Sequence, residues 1–284
     1  MTGAKPSPKP SKDQKLENPL REGLVVPLDS AYLYLSQRPS GSEPSAAPLS
    51  AEDLDVKYKF LHDRVRQAAY DLASESQRQT IHLRIGRHLH KRGYGEGNSE
   101  ELFSLVMHMN LGSALLATAA ERSELGRYNL LAGVRAKAAT AYQGAAGYLG
   151  AGIALLGPDG FSCEYALCFD LHVELAECEY LNGNFERTEL LFETLLRQAR
   201  TSLERARINN LRMILYTTRG QFGAAITAGL AGLGEFGITL PDSEAERGAA
   251  LGAELGEVDA NLAGRRIADL LHAPELTDKE RQAT

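Results

Sequence analysis

Tryptophan is absent from this chain of 284 residues, aromatics make up only 7% of it, and cysteine occurs three times. With few large rings, a core has to be filled through Ala, Leu and Gly, as in helices stacked at close range. Cys163, Cys168 and Cys178 form no even framework and no C-x-x-C, which excludes a disulfide scaffold or a dithiol redox motif. Their spacing instead predicts one helix in which small apolar thiols pack. No apolar run reaches the roughly 18 residues of a membrane span. The opening MTGAKPSPKPSKDQK has charge but no apolar stretch of the kind a secretory signal needs. These absences predict a reducing, cytoplasmic setting without a membrane contact. The net charge of −6 speaks against a nucleic-acid partner, which would need clustered excess Lys and Arg.

What is present is a helical pattern, and 43% apolar residues suffice for a substantial core. Residues 1–15, rich in Pro, Ser and Lys, are predicted to be a disordered tail. From Leu16 a short helix ending near Gly23 leads into an extended segment whose tail alternates Tyr32, Leu33, Tyr34 and Leu35. A Pro/Ser-rich insertion over 36–55 then precedes the strand-like stretch Val56 to Phe60, so two short strands flank a loop.

After Leu72 the pattern is helical throughout. Ile81, Ile85 and Leu89 predict one apolar stripe, with Gly93 as its stop. The stretch Glu101 to Gly112 is apolar around most of its girth and should be central. Residues Glu121 to Ala139 and Ala141 to Leu156 form an antiparallel pair stopped by Gly157-Pro158. Beyond Pro241, Leu251, Leu255, Val258 and Leu262 mark one longer helix, and Thr277-Asp278 reads as a further helix start cut short, as in a piece of something longer.

A repeat lies within this helical part. Leu181-Asn-Gly183-Asn-Phe185 recurs as Thr218-Arg-Gly220-Gln-Phe222, with both Gly and Phe offset by 37 residues. A small residue follows each Phe by three (Thr188, Ala225), and Tyr142 with Ala145 holds the same place one unit earlier. The Gly permits the reversal, the aromatic should wedge between paired helices, and the small residue permits their approach. Helices are expected at Glu164 to Tyr180, Phe185 to Ala199, Leu203 to Thr217 and Phe222 to Phe236. The pattern resembles degenerate tetratricopeptide repeats, whose period is about 34, and helix pairs of that kind stack into a solenoid.

The stretch FLHDRVRQAAYDL, Phe60 to Leu72, predicts a helix with Leu61, Val65, Ala68, Ala69 and Leu72 on one side. His62 and Asp63 fall at its mouth, where free N–H groups and the helix dipole favour an acidic cap and nearby anions. A His-Asp pair ahead of a Val-Arg-x-x-Ala helix resembles the end of the winged-helix domain in STAND-type signalling ATPases. The similarity is to those fused to serine/threonine kinase and histidine kinase modules in multisensor proteins. It runs from about Leu20 to the C-terminus and does not include the ATPase core. In that family the histidine of the pair contacts the ADP phosphates and holds the ATPase closed. The resemblance therefore implies nucleotide sensing by His62 and Asp63, with ATP or ADP bound only in a full-length protein. The competing reading is that Asp63 caps the helix and His62 packs at a domain seam.

Other constellations offer less. No G-x-x-x-x-G-K-[ST] exists, and Gly93, Gly95 and Gly97 lie between two helices rather than after a strand, so no cofactor is expected in this chain. His82, His88 and His90 fall on different helix faces, and adding His108 and His172 yields no metal motif. There is no G-x-S-x-G elbow. Glu174, Glu177 and Glu179 read as solvated helix residues, and Asp170 pairs with Glu174 on an outer face. The run Arg197, Arg200, Arg205, Arg207 and Arg212 is either a surface for an acidic peptide or phosphate, or a set of cations balancing helix ends and nearby Glu.

The expectation is an all-α chain of stacked antiparallel helical hairpins, a tetratricopeptide-like solenoid over 74–284. It is entered through a partial winged helix over 16–73 that contains a short β-hairpin. No catalysis is expected. The resemblance implies a region that couples the nucleotide state of an ATPase to downstream sensor and kinase modules, with protein modules as partners. A free-standing helical-repeat adaptor for a peptide or protein is the other reading.

Overall fold

The computed structural model describes residues 19–28, 58–95, 98–272 and 277–278. The chain divides into two compact units, residues 1–78 and 79–284. The tail over 1–15, Tyr32 to Leu35 and the insertion over 36–55 lie outside the described residues.

In the first unit, helical residues 19–21 end at Gly23, whose φ of +66° turns the chain. Strand β1 (Val25–Pro27) then pairs antiparallel with β2 (Tyr58–Phe60), in the register Val25 to Phe60. Pro27, lacking an N–H, stands at the strand's end, where a missing donor costs least. Helix α1 (Asp63–Asp71) follows directly. It starts three residues later than the sequence predicts, because the Phe60 backbone is held in the sheet and the Leu61 N–H donates to Leu24.

The expected buried stripe of α1 is not covered by the described residues. Leu72 is 87% exposed, Leu61 is half exposed, and no α1 residue is buried. Two three-residue strands offer too little surface to cover about two and a half turns of helix, and Val25 alone is buried among the described residues of this unit.

Helix α2 (Glu75–Lys91) begins in the first unit and continues into the second. Its buried residues are Leu83 and Gly86, whereas Ile81 and Ile85, the stripe read from the sequence, are exposed. Small residues decide the face. A Cβ on Gly86 would stand 2.5 Å from the Met109 sulfur, and one on Gly112 would stand 2.8 Å from the Leu83 nitrogen. Helix α3 (Ser99–Leu111) buries Leu102, Leu105, Val106 and Met109 and is central, as its composition predicts.

Helices α4 (Ala119–Ala138) and α5 (Tyr142–Leu156) form the next antiparallel pair. The short α6 (Gly160–Cys163) and Glu164, with φ −133°, separate Cys163 from the helix carrying the other two cysteines. Then come α7 (Tyr165–Leu181) with α8 (Phe185–Gln198), and α9 (Ser202–Thr218) with α10 (Phe222–Gly234). Helix α11 (Glu244–Leu262) follows. The molecule is mostly helical, its helices packed as sequential pairs, with one small N-terminal antiparallel sheet.

Three hairpin turns share one geometry. The N–H of Ala141, Asn184 and Gln221 donates to the carbonyl five residues back, on Ala136, Glu179 and Tyr216. The residue before each donor is left-handed: Gly183 at φ +82°, Gly220 at +73° and Thr140 at +60°. The residues Ala145, Thr188 and Ala225 are all buried, as the repeat requires. Phe185 packs edge-on to the Tyr180 ring, 5.1 Å between centroids. Phe222 does not wedge: it is 63% exposed. The position equivalent to Tyr180, 37 residues on, is Thr217, which has no ring to receive it.

Helix α7 joins two layers. Leu167, Leu171, Leu175 and Cys178 pack with Ala136, Ala145 and Leu149 of α4 and α5. Phe169, Val173, Ala176 and Tyr180 pack with Phe192, Leu195, Ile208, Leu215 and Tyr216 of α8 and α9.

The turns give a stability test. Thr140 is exposed and left-handed, so Thr140→Gly should raise unfolding free energy by about 1 kcal/mol. Gly183→Ala and Gly220→Ala, which would meet no atom within 4 Å, should each lower it by about the same amount. Urea denaturation of the three variants measures this; a stabilising Gly220→Ala would refute the strained-turn account.

Candidate functional site

His62 holds the N-cap position of α1, with extended backbone (φ −132°, ψ 139°) and no side-chain capping bond. Asp63 is the first helical residue, its carboxylate 3.4 Å from Arg66 and almost fully exposed. The sequence thus places the pair at the helix mouth; among the described residues His62 makes no side-chain capping bond, and Asp63 follows the N-cap position rather than holding it. Both side chains are open to solvent, on a helix start whose free N–H groups favour an anion.

The structure brings together two histidines that spacing kept apart. His82 on α2 and His108 on α3 face each other with their Nδ1 atoms 2.8 Å apart, so one ring donates and the other accepts. Burial, and then the neighbouring His82 charge, hold His108 below the usual imidazole range. Burial does the same to His172, whose Nδ1 lies 2.7 Å from the Cys168 carbonyl. His90 meets the Tyr128 hydroxyl at 3.1 Å, and His88 is exposed. No sequence signal marks the His82–His108 contact, because the two lie 26 residues apart on separate helices. Among the described residues no group of three or more His, Cys, Asp or Glu could hold a metal ion.

The thiols divide by burial. Cys168 is pushed up to about 11 and Cys178 to about 12, so both stay protonated at neutral pH. Cys163 is exposed.

The acids of α7 are not the solvated residues the sequence predicts. Glu179 is buried at 2% exposure, bonded to Arg187 at 2.8 Å and to the Asn184 amide at 2.6 Å. Lys137 of α4 sits between Glu174 at 2.6 Å and Glu177 at 2.7 Å. Burial opposes the Lys137 charge, but the two carboxylates outweigh it and its pKa rises. A buried charge has to be paired, and α7 can be buried on two faces only because α4 and α8 supply the cations.

The arginine run is likewise engaged within the chain. Arg200 lies over the Tyr165 ring at 3.7 Å, Arg205 bonds Glu235 at 2.6 Å, and Arg207 bonds Asp170 at 2.9 Å. Arg212 reaches Asn209 and Tyr216, and Arg197 reaches Thr194. The Asp170 side chain is exposed, as the sequence predicts, and its partner is Arg207. These contacts favour the structural reading of the run over a phosphate surface.

Among the described residues, two of the openings lie beside the paired helices α5 and α7–α10. A cleft of about 360 Å³ lies beside the α5 glycines Gly147 and Gly150, lined also by Gln143, Asn182 and Arg187. An apolar groove of about 690 Å³ runs between α9 and α10, lined by Leu203, Ala206, Met213, Leu233 and Phe236 with Arg207 on it. No spacing rule announces either, since both depend on how neighbouring helices splay. Among the described residues, no helix is long and apolar enough to cross a membrane.

The chain is similar to hybrid signal transduction histidine kinase G of Dictyostelium discoideum, at 27% identity over 209 residues. The match covers 65% of this chain and 6% of that protein, so the chain spans a small fraction of its relative's length. No family model matches the chain, and no solved structure does. The finding is a distant relation to a signalling histidine kinase.

The buried histidines generate a pH prediction. The folded protein keeps His108 and His172 neutral, while the unfolded chain protonates them near the ordinary value of 6.5. The unfolded state then binds more protons below that value, so this stability is present above about pH 6.5. It declines as pH falls through the depressed folded values. Denaturation midpoints between pH 7.5 and 5 should show that decline, and His108→Gln should reduce its slope without abolishing it. An unchanged slope in His108→Gln would refute the assignment.

Proposed function

We propose that this chain is a non-catalytic regulatory and scaffold region of a signal-transduction ATPase–kinase. Its paired helices would couple the nucleotide state of an ATPase to sensor and kinase modules in the same polypeptide. The observation that carries this reading is the run of three equivalent hairpin turns at Thr140, Gly183 and Gly220, in a chain distantly related to a signalling histidine kinase. Hairpins that share cores through one helix transmit displacement as a unit, which suits a connector. The order of two short strands, then a helix opening on His62-Asp63, supports the comparison with the end of a STAND-type winged helix. In that role His62 would donate to the ADP phosphates, aided by the helix dipole. ATP or ADP would belong to the full-length protein, and the setting would be cytoplasmic, with no nucleic acid and no membrane contact.

A second reading, a free-standing helical-repeat adaptor that takes a peptide or protein, is favoured by the open apolar groove between α9 and α10.

The test is His62→Ala in the full-length polypeptide. Loss of one charge-assisted phosphate contact should weaken ADP retention by about tenfold and shift kinase output with it. Unchanged nucleotide occupancy and unchanged output would overturn the coupling role and leave the adaptor.

A further inference from the structure

His82 and His108 meet where α2 and α3 pack at close range. One turn past His82, a Cβ on Gly86 would stand 2.5 Å from the Met109 sulfur, and Leu83 lies against Gly112. Both rings are half-buried and tilted, with centroids 5.1 Å apart. Their Nδ1 atoms, 2.8 Å apart, share a hydrogen bond only while at least one of them keeps its lone pair. Two imidazolium rings offer donors alone, and two positive charges at that separation repel.

The two halves of α2 are held differently. Beyond Gly86, Arg87 bonds Glu121 of α4 at 2.6 Å. There too His90 Nε2 lies 3.6 Å from Glu124, and its Nδ1 lies 3.1 Å from the Tyr128 hydroxyl. These ties survive mild acid. Arg87 holds the Glu121 carboxyl below the usual carboxylate range, and a protonated His90 gains a charge toward Glu124. Before Gly86, α2 offers α3 the buried Leu83 and the His82 ring. Other charged groups of these elements have their own places. Arg78, one turn before His82, lies 3.7 Å from Glu75, and Arg84 is exposed. The acids of α3 are Glu100 and Glu101, about two turns from His108, and Arg122 of α4 donates to the Leu116 carbonyl.

We infer that His82 and His108 form a proton-operated latch: in mild acid the first half of α2 leaves α3, while the His90–Glu124 end holds and serves as the pivot. Burial, and then His82, keep His108 neutral below the ordinary value of 6.5, so the latch is shut at neutral pH and yields as pH falls. Once released, the first half of α2 has no packed face, and so short a helical stretch does not keep its hydrogen bonds in water. Met109, 8% exposed where it meets Gly86, then loses cover. The event is local, unlike the whole-chain decline to which His108 and His172 contribute. It is independent of the nucleotide-coupling role and stands if that role fails.

The test is hydrogen exchange of the full chain at pH 7.5 and 5.5, corrected for intrinsic exchange rates. Opening of the amides over 79–86 should rise by about tenfold at pH 5.5. That is the factor from taking up one proton one unit below the ordinary imidazole value. The α7 amides, which report unfolding of the whole core, should stay at least tenfold slower at both pH values. His82→Gln leaves His108 an uncharged hydrogen-bonding partner and should suppress the rise over 79–86. His90→Gln removes the gain at the pivot and should extend the rise to 87–91. Peroxide oxidation of Met109 should quicken at pH 5.5 in the parent protein and not in His82→Gln. Equal exchange over 79–86 at the two pH values overturns the proposal, as does a rise of the same size in His82→Gln. Opening of 79–86 at the α7 rate also overturns it, because the transition is then global. Should His82→Gln fail to fold, His108→Gln makes the same test.

Discussion

Helix α7 has to be apolar on two sides at once. Residues 167, 171, 175 and 178 face α4 and α5, while 169, 173, 176 and 180 face α8 and α9. Neither layer could close its core without it, since each helix pair leaves one face uncovered. A helix buried on both sides leaves its polar residues only partial access to water. Glu174, Glu177 and Glu179 lie where cations from the neighbouring layers reach them: Lys137 on one side, Arg187 on the other. The ion pairs are thus consequences of double burial, and breaking one would leave a charge in a low-dielectric seam.

Close approach is the second constraint, and it follows from a composition poor in large rings. Gly133 faces Leu149, and Gly152 faces Leu171 and Asn129, at distances a Cβ could not occupy. Asn129, fully buried, exchanges two hydrogen bonds with Asn110 and donates a third to the Leu125 carbonyl. Small residues bring the backbones together, Leu side chains fill what remains, and one amide pair fixes the register of α3 against α4. Toward the C-terminus the same economy leaves surface uncovered. Helix α10 is Ala- and Gly-rich, so the groove beside it is shallow-walled and apolar, suited to a helix rather than to a small polar ligand.

The candidate site was legible only in part. His62 and Asp63 at a helix mouth followed from sequence order, because a helix start is a local property. That the described residues leave the apolar side of α1 uncovered did not follow, since local periodicity says which residues share a face and nothing about what stands opposite. The same limit explains α2, where Ile81 and Ile85 form a sound stripe yet Leu83 and Gly86 are buried. It explains Phe222 too, whose repeat position is right but whose ring partner has become Thr217.

The amino-acid sequence by itself determined the helical class, the stops at Gly93 and Gly157, the 37-residue repeat with its left-handed glycines, and the small residues at Ala145, Thr188 and Ala225. All of these are set by backbone sterics and short-range hydrogen bonds, which act within a few residues of their cause. Only the tertiary structure decided that His82 meets His108, that Glu179 is buried with Arg187 and that Thr140 takes the left-handed place of a glycine. It also decided that the groove between α9 and α10 stands open. Each of these depends on which surfaces of distant helices come within contact range, and that is settled by shape and volume across the whole core.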